Sequence, residues 1–292
     1  MEIWATIRRE IAAATGEAFV IEARRAVGGG CINDAYVVEG AGRRYFVKLN
    51  RASQGVMFEA EAAGLEEITA SGAIQAPAPV CLGTAGDAAY LVLEYLELGG
   101  RGNAPALGRQ LAAMHRVTAH RHGWCRDNTI GATPQVNTPS DDWADFWARQ
   151  RLGYQLELAA RQGYGGQLQR RGERLQAVLP GFFADYAPPP SLLHGDLWSG
   201  NYAFDAAGEP VIFDPAVYYG DREADLAMTE LFGGFPEAFY DAYREDFPVD
   251  PGYRVRKTLY NLYHVLNHLN LFGGGYGAQA EGMIGQLLSE AG

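Results

Sequence analysis

The sequence predicts an α+β protein of two lobes, a small amino-terminal one built on an antiparallel sheet and a larger one that is mainly helical. Three observations carry this expectation. The chain has 292 residues, about the size at which one apolar core gives way to two. From residue 19 to residue 96, short β-type runs are separated by glycine turns, with one helical stretch among them. Beyond the glycine-rich "ELGGRGN" at 97–103 the apolar spacing becomes mainly helical.

Taken in order, "IWATIRREIAAATG" places Ile3, Ile7 and Ile11 at helical spacing and stops at Gly16. "AFVIEARRAV", "AYVVE" and "RYFVKLN" read as three antiparallel strands between Phe19 and Asn50, joined through "GGGCIND" and a "GAG" turn. In "VMFEAEAAGLEEITASG" one helical face carries Phe58, Glu61, Leu65 and Ile68, so a glutamate interrupts an apolar stripe and needs a partner. "APVCLG" and "AYLVLEYL" complete the sheet, which sets a boundary near Leu96, with a first lobe over 1–96 and a second over 97–292. In the second lobe "PALGRQLAAMHRV" turns Leu107, Leu111 and Met114 inward. "DWADFWARQRLGYQLELAA" reads as one long helix with Trp143, Phe146 and Trp147 as core, and a third helix runs to the prolines at 188–190. "SLL" and "EPVIFDP" are short strands, and three helices follow, the last being "YRVRKTLYNLYHVLNHLNLF".

Composition narrows the function. A formal charge of −11 with no clustered Lys or Arg argues against a nucleic-acid partner. No apolar run is long enough to span a bilayer, and no basic stretch followed by an apolar core reads as a targeting signal, so no membrane partner and a cytoplasmic location are expected. The three cysteines, Cys31, Cys81 and Cys125, have neither zinc nor disulfide-framework spacing, which fits a reducing compartment. His264 and His268 share a helix face, but Val265 stands where a zinc protease needs glutamate, and that reading is rejected.

Four polar features interrupt apolar elements: Lys48 in "YFVKLN", Glu61 on its helix, Asp196 with Asn201 in "SLLHGDLWSGN", and Asp214 in "VIFDP". Phosphoryl transfer from ATP needs such a set: a cation for the α/β-phosphates held by a carboxylate, a base for the acceptor hydroxyl, and an amide with a carboxylate for Mg²⁺. Asn201 follows Asp196 by five positions, the spacing of base and metal-binding amide in the kinase catalytic loop. Asp196 is therefore the candidate base, Asn201 and Asp214 the candidate metal ligands, and Lys48, paired with Glu61, the phosphate cation. His194 reads as an orienting residue. Gly28, Gly29 and Gly30 form either a plain hairpin turn or a phosphate lid, and they lack the P-loop signature.

"HGDLWSGN", "FDPAVYYGDREADLAM", "GGGCIND" and "YNLYHVLNHLNLFGGGYG" resemble the fructosamine-3-kinase, or ketosamine kinase, family over most of the chain. That family belongs to the wider group resembling aminoglycoside phosphotransferases, in which HGD replaces the protein-kinase HRD. The resemblance implies a protein-kinase-like two-lobed fold and an acceptor that is the 3-hydroxyl of a ketosamine, as a small molecule or on a glycated lysine of a protein. It implies that Gly28, Gly29 and Gly30 act as the lid, that Glu94, Tyr95 and Leu96 meet adenine, and that Trp198, His264, Asn267 and His268 line an acceptor pocket. With Cys31 inside the lid, the expected states are a monomer or a dimer linked by oxidation of Cys31. An aminoglycoside or choline-like acceptor would share every nucleotide-side residue and stays open as an alternative. A non-catalytic module would be expected to lack one of Lys48, Asp196, Asn201 or Asp214, and all are present.

Overall fold

The computed structural model describes residues 2–28 and 32–291. The chain divides into two compact units, Met1–Asn103 with Ala203–Asp214, and Ala104–Tyr202 with Pro215–Gly292.

The first unit opens with helix α1 (Glu2–Thr15), which ends where the Thr15 hydroxyl bonds back to the Ile11 carbonyl at 2.8 Å. Strands β1 (Ala23–Val27), β2 (Asp34–Gly40) and β3 (Arg43–Arg51) follow, then helix α2 (Gly55–Ala70) and strands β4 (Pro79–Ala85) and β5 (Ala88–Glu94). The sheet has the order β1-β2-β3-β5-β4, with every neighbouring pair antiparallel. Alternation along β3 decides its two faces. Tyr45 and Val47 join Ile7 and Ile11 of α1, with Phe19, Val38, Tyr90 and Val92, in one buried cluster. Lys48, next in sequence to Val47, points to the opposite face. Helix α2 buries Phe58, Leu65 and Ile68, the three apolar positions that flank Glu61.

The second unit begins with α3 (Ala104–His115), the hairpin β6 (Asn128–Ile130) and β7 (Thr133–Gln135), and α4 (Trp143–Phe146). The expected single long helix is interrupted: residues Trp147–Gly153 form a π-helical stretch before α5 (Tyr154–Arg161). The wider turn holds Arg151 fully buried, its Nη1 bonded to the Val136 carbonyl at 2.6 Å and its Nη2 to Asn137 Oδ1 at 2.7 Å. Helix α6 (Gln167–Val178) passes into a 3₁₀ turn, Leu179–Phe183. It stops well short of the prolines at 188–190, because Pro180 already removes a donor from the helical ladder. Strand β8 (Ser191–Leu193) is next, then β9 (Tyr202–Phe204) and β10 (Pro210–Ile212), which pair with each other.

Where the sequence suggests one cut near Leu96, the chain instead returns residues 203–214 to the first unit. The Ile212 amide bonds to the Gln75 carbonyl at 3.0 Å, and the Gly99 and Gly100 amides bond to the Phe204 carbonyl at 2.9 and 3.2 Å. The second unit resumes with β11 (Tyr218–Gly220), antiparallel to β8, and helices α7 (Glu223–Leu231), α8 (Glu237–Asp246), α9 (Tyr253–Phe272) and α10 (Tyr276–Glu290). Among the described residues four helices follow Asp214, not three, and α9 is not the last. Helix α9 is buried on every side from Leu259 to Asn267, so its polar side chains must find partners inside. Tyr260 bonds to Asp221, and Tyr263 to Gln135 at 2.7 Å. No helix among the described residues is long and apolar enough to cross a membrane.

Candidate active site

In the first unit the structure brings three of the singled-out residues together. Lys48 Nζ lies 2.5 Å from Glu61 Oε1 and also bonds to Asp214 Oδ1. The Lys48 and Glu61 side chains are 7% and 10% exposed, whereas that of Asp214 is 49% exposed. Burial works against charge on Lys48, but attraction to Glu61 and then Asp214 outweighs it and holds the ammonium pKa above its ordinary value. Lys48 is thus a protonated cation fixed at its tip, with one buried partner and one partner open to solvent. Asp214 follows β10 with φ of 57°, a left-handed conformation that aspartate adopts more readily than most residues.

The remaining nucleotide-side residues lie in the same unit. Glu94 ends β5; its amide bonds to the Ala78 carbonyl at 2.8 Å, and its carboxylate accepts from the Ala78 amide at 3.3 Å. The Arg44 guanidinium stacks 4.3 Å from the Tyr95 ring centroid, and Leu96 is half-buried. A Cβ at Gly28 would meet nothing within 4 Å. Gly29, Gly30 and Cys31 lie outside the described residues, and with them the expectations for the lid and for a redox-active thiol.

In the second unit the loop after β8 is held from beneath. Asp225, on α7, accepts from the His194 amide at 2.7 Å and the Gly195 amide at 2.8 Å, one on each carboxylate oxygen. His115 Nε2 lies 3.1 Å from the same carboxylate, and His115 Nδ1 lies 2.8 Å from the Tyr243 hydroxyl. Burial alone would raise the Asp225 carboxyl. The hydrogen bond from His115, the electrostatic interaction with His115 and His194, and the Gly195 amide hold it below the usual range. Asp225 is therefore a buried anion held by the His115 imidazole and two backbone amides. The imidazole of His194 accepts from the Asp196 amide at 3.2 Å, the orienting part expected of it.

Gly195 is required twice. Its φ is +83°, and a Cβ there would stand 2.1 Å from the Ala216 carbonyl oxygen. The loop continues with Leu197, fully buried, and closes through Asn201, whose Nδ2 donates to the Asp196 carbonyl at 2.9 Å and reaches its Oδ2 at 3.4 Å. Asp196 and Asn201 are thus neighbours in space as well as in spacing. Trp198 lies over Gly200, where a Cβ would fall 2.4 Å from its ring, and remains 38% exposed.

The four acceptor-pocket expectations separate. His264 is buried, and burial lowers its pKa to about 3, so it is a neutral core imidazole. Asn267 is a correction: it is 3% exposed, accepts from Gln155 Nε2 at 3.3 Å and donates to the Ile130 carbonyl at 3.3 Å, so its amide is committed to the interior. His268 is half-buried among aromatic rings, with its Nδ1 2.8 Å from the His264 carbonyl. Trp198 is exposed on the Asp196 loop. Sequence reasoning missed His115 and Asp225; the signal for Asp225 was available, since "ADLAM" is an apolar helical run broken by one carboxylate.

A thermostable mutant of an aminoglycoside phosphotransferase superposes with a TM-score of 0.63 at 14% identity, covering 97% of this chain and 98% of its own, a likeness of fold alone. The fold class is thus protein-kinase-like. The family model for fructosamine kinase matches residues 3–290, and the chain belongs to that family. A probable ketoamine kinase of Synechocystis is 53% identical over 289 residues, which is 98% of this chain and 97% of the relative. The chloroplastic protein-ribulosamine 3-kinase of Arabidopsis thaliana is 45% identical over 286 residues, 96% of this chain and 87% of the relative. A crystal structure from Haemophilus somnus, named provisionally as a fructosamine-3-kinase, has a TM-score of 0.90 at 28% identity and covers 98% of this chain and 97% of its own.

Proposed function

We infer that this chain is an ATP-dependent kinase that phosphorylates the 3-hydroxyl of ketosamines, free or carried on a protein lysine. The reading is carried by the Lys48–Glu61–Asp214 cluster in a chain whose near full-length relatives are named for ketoamine and ribulosamine kinase activity. Lys48, kept protonated by its two carboxylates, meets the α/β-phosphates. The chain at Glu94, Tyr95 and Leu96 takes the adenine through backbone groups, and Gly28 to Gly30 cover the phosphates. Asp196, held by the Asn201 amide and by the His194 and Asp225 scaffold beneath it, accepts the proton of the acceptor hydroxyl. As that proton leaves, the hydroxyl oxygen bonds to the γ-phosphorus and the bridging bond to ADP breaks.

The carbonyl of Asn201 and the carboxylate of Asp214 are hard oxygen donors of the kind Mg²⁺ takes, and the Asn201 amide nitrogen is already turned to Asp196. These two residues would hold the metal, which when bound supplies charge neutralisation at the phosphate oxygens. On the acceptor side, Trp198 and His268 remain the pocket candidates.

The test is a panel of acceptors with ATP: ribose- and fructose-derived ketosamines, an aminoglycoside and a choline-like alcohol. Transfer confined to the ketosamines is the expected result. Transfer to the aminoglycoside or the choline-like alcohol, with none to a ketosamine, would overturn the reading.

A further inference from the structure

Asp225, which grips the loop after β8, is itself one end of a series of hydrogen bonds that starts at Arg222. Arg222 Nη1 donates to the Tyr243 hydroxyl at 3.1 Å, that hydroxyl lies 2.8 Å from His115 Nδ1, and His115 Nε2 lies 3.1 Å from Asp225 Oδ2. The series leaves the start of α7, crosses α8 and α3, and returns to α7. His115, Tyr243 and Asp225 are buried and Arg222 is nearly so, which strengthens each bond. Close packing of α3 on α8 makes the crossing possible. A Cβ at Gly108, on the same face of α3 as His115, would stand 2.3 Å from the Phe239 carbonyl oxygen, and Tyr243 lies one helical turn beyond Phe239.

The hydrogens give this series a direction. Asp225 is an anion and offers only acceptors, so the hydrogen between it and His115 sits on Nε2. A guanidinium offers only donors, so Arg222 cannot take the Tyr243 hydrogen. Among the described residues the Tyr243 hydroxyl has no polar partner besides Arg222 and His115. Its single hydrogen therefore points at His115 Nδ1, which must be bare to accept it. Burial raises the Tyr243 pKa above its ordinary value, against the pull of Arg222, so the phenol keeps that hydrogen. An imidazolium at His115 would strand the Tyr243 hydrogen in the core, and the other neutral tautomer would also turn a bare nitrogen on the Asp225 anion.

Arg222 is fixed at its far end. It donates to the carbonyls of Phe247, at 3.1 Å, and Pro248, and its guanidinium lies 3.6 Å over the Phe247 ring. We propose that Arg222 and Tyr243 are positioning residues for the kinase reaction: they hold His115 neutral with its hydrogen on Nε2, which keeps Asp225 clamped on the His194 and Gly195 amides and so sets where Asp196 stands. This rests on the kinase reading and extends it to two residues behind the loop, one at the start of α7 and one on α8.

The test uses the full chain and two readouts. Long-range ¹H–¹⁵N NMR near neutral pH, with the His115 signals assigned by their loss in His115→Gln, reads the tautomer without turnover. The wild type is expected to show a protonated Nε2 and a bare, hydrogen-bonded Nδ1. Tyr243→Phe, which removes only the hydroxyl, should move the Nδ1 signal toward that of a nitrogen without a donor. It should also lower kcat on a ketosamine by about tenfold with the KM for ATP within about twofold of wild type, because a small displacement of a reacting group costs rate. Arg222→Met should lower kcat likewise, and Arg222→Lys, which keeps a charged donor for the hydroxyl, should recover most of the loss. Either residue's variants decide the point where the other's fail to fold. A wild-type His115 that is an imidazolium, or that carries its hydrogen on Nδ1, overturns the proposal. So does a kcat at the wild-type level in Tyr243→Phe or Arg222→Met, even with a lower unfolding midpoint, because the residue would then serve stability alone. A wild type that transfers phosphate to no ketosamine overturns the kinase reading, and the tautomer is still read independently of it.

Discussion

Lys48 Nζ and Glu61 Oε1 are 2.5 Å apart with both side chains nearly withdrawn from water. A buried ion pair adds little to stability over an apolar pair of the same shape, but removing one member leaves an uncompensated charge. The pair is better understood as a device that fixes the ammonium while Asp214, half open to solvent, stays able to exchange partners.

Glu61→Ala is therefore expected to lower stability by about 1–3 kcal/mol and to raise the KM for ATP, since Lys48 loses its buried partner. Urea unfolding and steady-state kinetics of Lys48→Ala, Glu61→Ala and the double variant check this. The two single effects should be non-additive by about 1 kcal/mol or more, and strict additivity in both readouts would reject a functional pair.

Gly195 stands where protein kinases carry the arginine of HRD. With φ of +83° and the Ala216 oxygen 2.1 Å from any Cβ, Gly195→Ala should displace the loop that carries Asp196 and cost about 1–3 kcal/mol. Gly195→Arg should be worse. Activity and urea midpoints measure both; a fully active Gly195→Arg enzyme would show that the loop is not held as described.

Two buried histidines set a pH dependence. Burial lowers the pKa of His122 to about 4 and that of His264 to about 3. Unfolded histidine titrates near 6.5, so between that pH and about 4 the unfolded chain binds protons that the folded chain does not. Stability is therefore expected to fall as pH falls through this window, by up to about 3 kcal/mol per pH unit when both contribute. Unfolding midpoints from pH 7 to pH 5 should show a shallower slope in His264→Phe than in the wild type. Parallel curves would remove His264 from this role.

Much of the first unit was legible because its signals are local. Alternation and glycine turns mark β1 to β5, and a glutamate in an apolar helix face announces a buried partner, which Lys48 proves to be. Spacing also marked Asp196 and Asn201 as one loop. What stayed hidden depends on contacts between distant segments. The return of residues 203–214 to the first unit is made by backbone bonds to Gln75, Gly99 and Gly100, which leave no mark in composition. The π-helical turn at Trp147–Gly153 has an ordinary helical pattern, and its cause, the buried guanidinium of Arg151, shows only once Val136 and Asn137 are in place. Asn267 read as a pocket residue because a helix buried on all sides has no polar face by which to sort its amides.

Asp196 is the proposed base for the ketosamine hydroxyl. The most direct measurement follows phosphate transfer from ATP to a ketosamine by ³¹P NMR in wild type and Asp196→Asn, alongside ATP affinity by calorimetry. Phosphate is expected on the 3-hydroxyl in the wild type, and in Asp196→Asn a rate about 10²- to 10⁴-fold lower with ATP affinity nearly unchanged. Near-normal turnover in Asp196→Asn, or phosphate placed on another oxygen by the wild type, would contradict it.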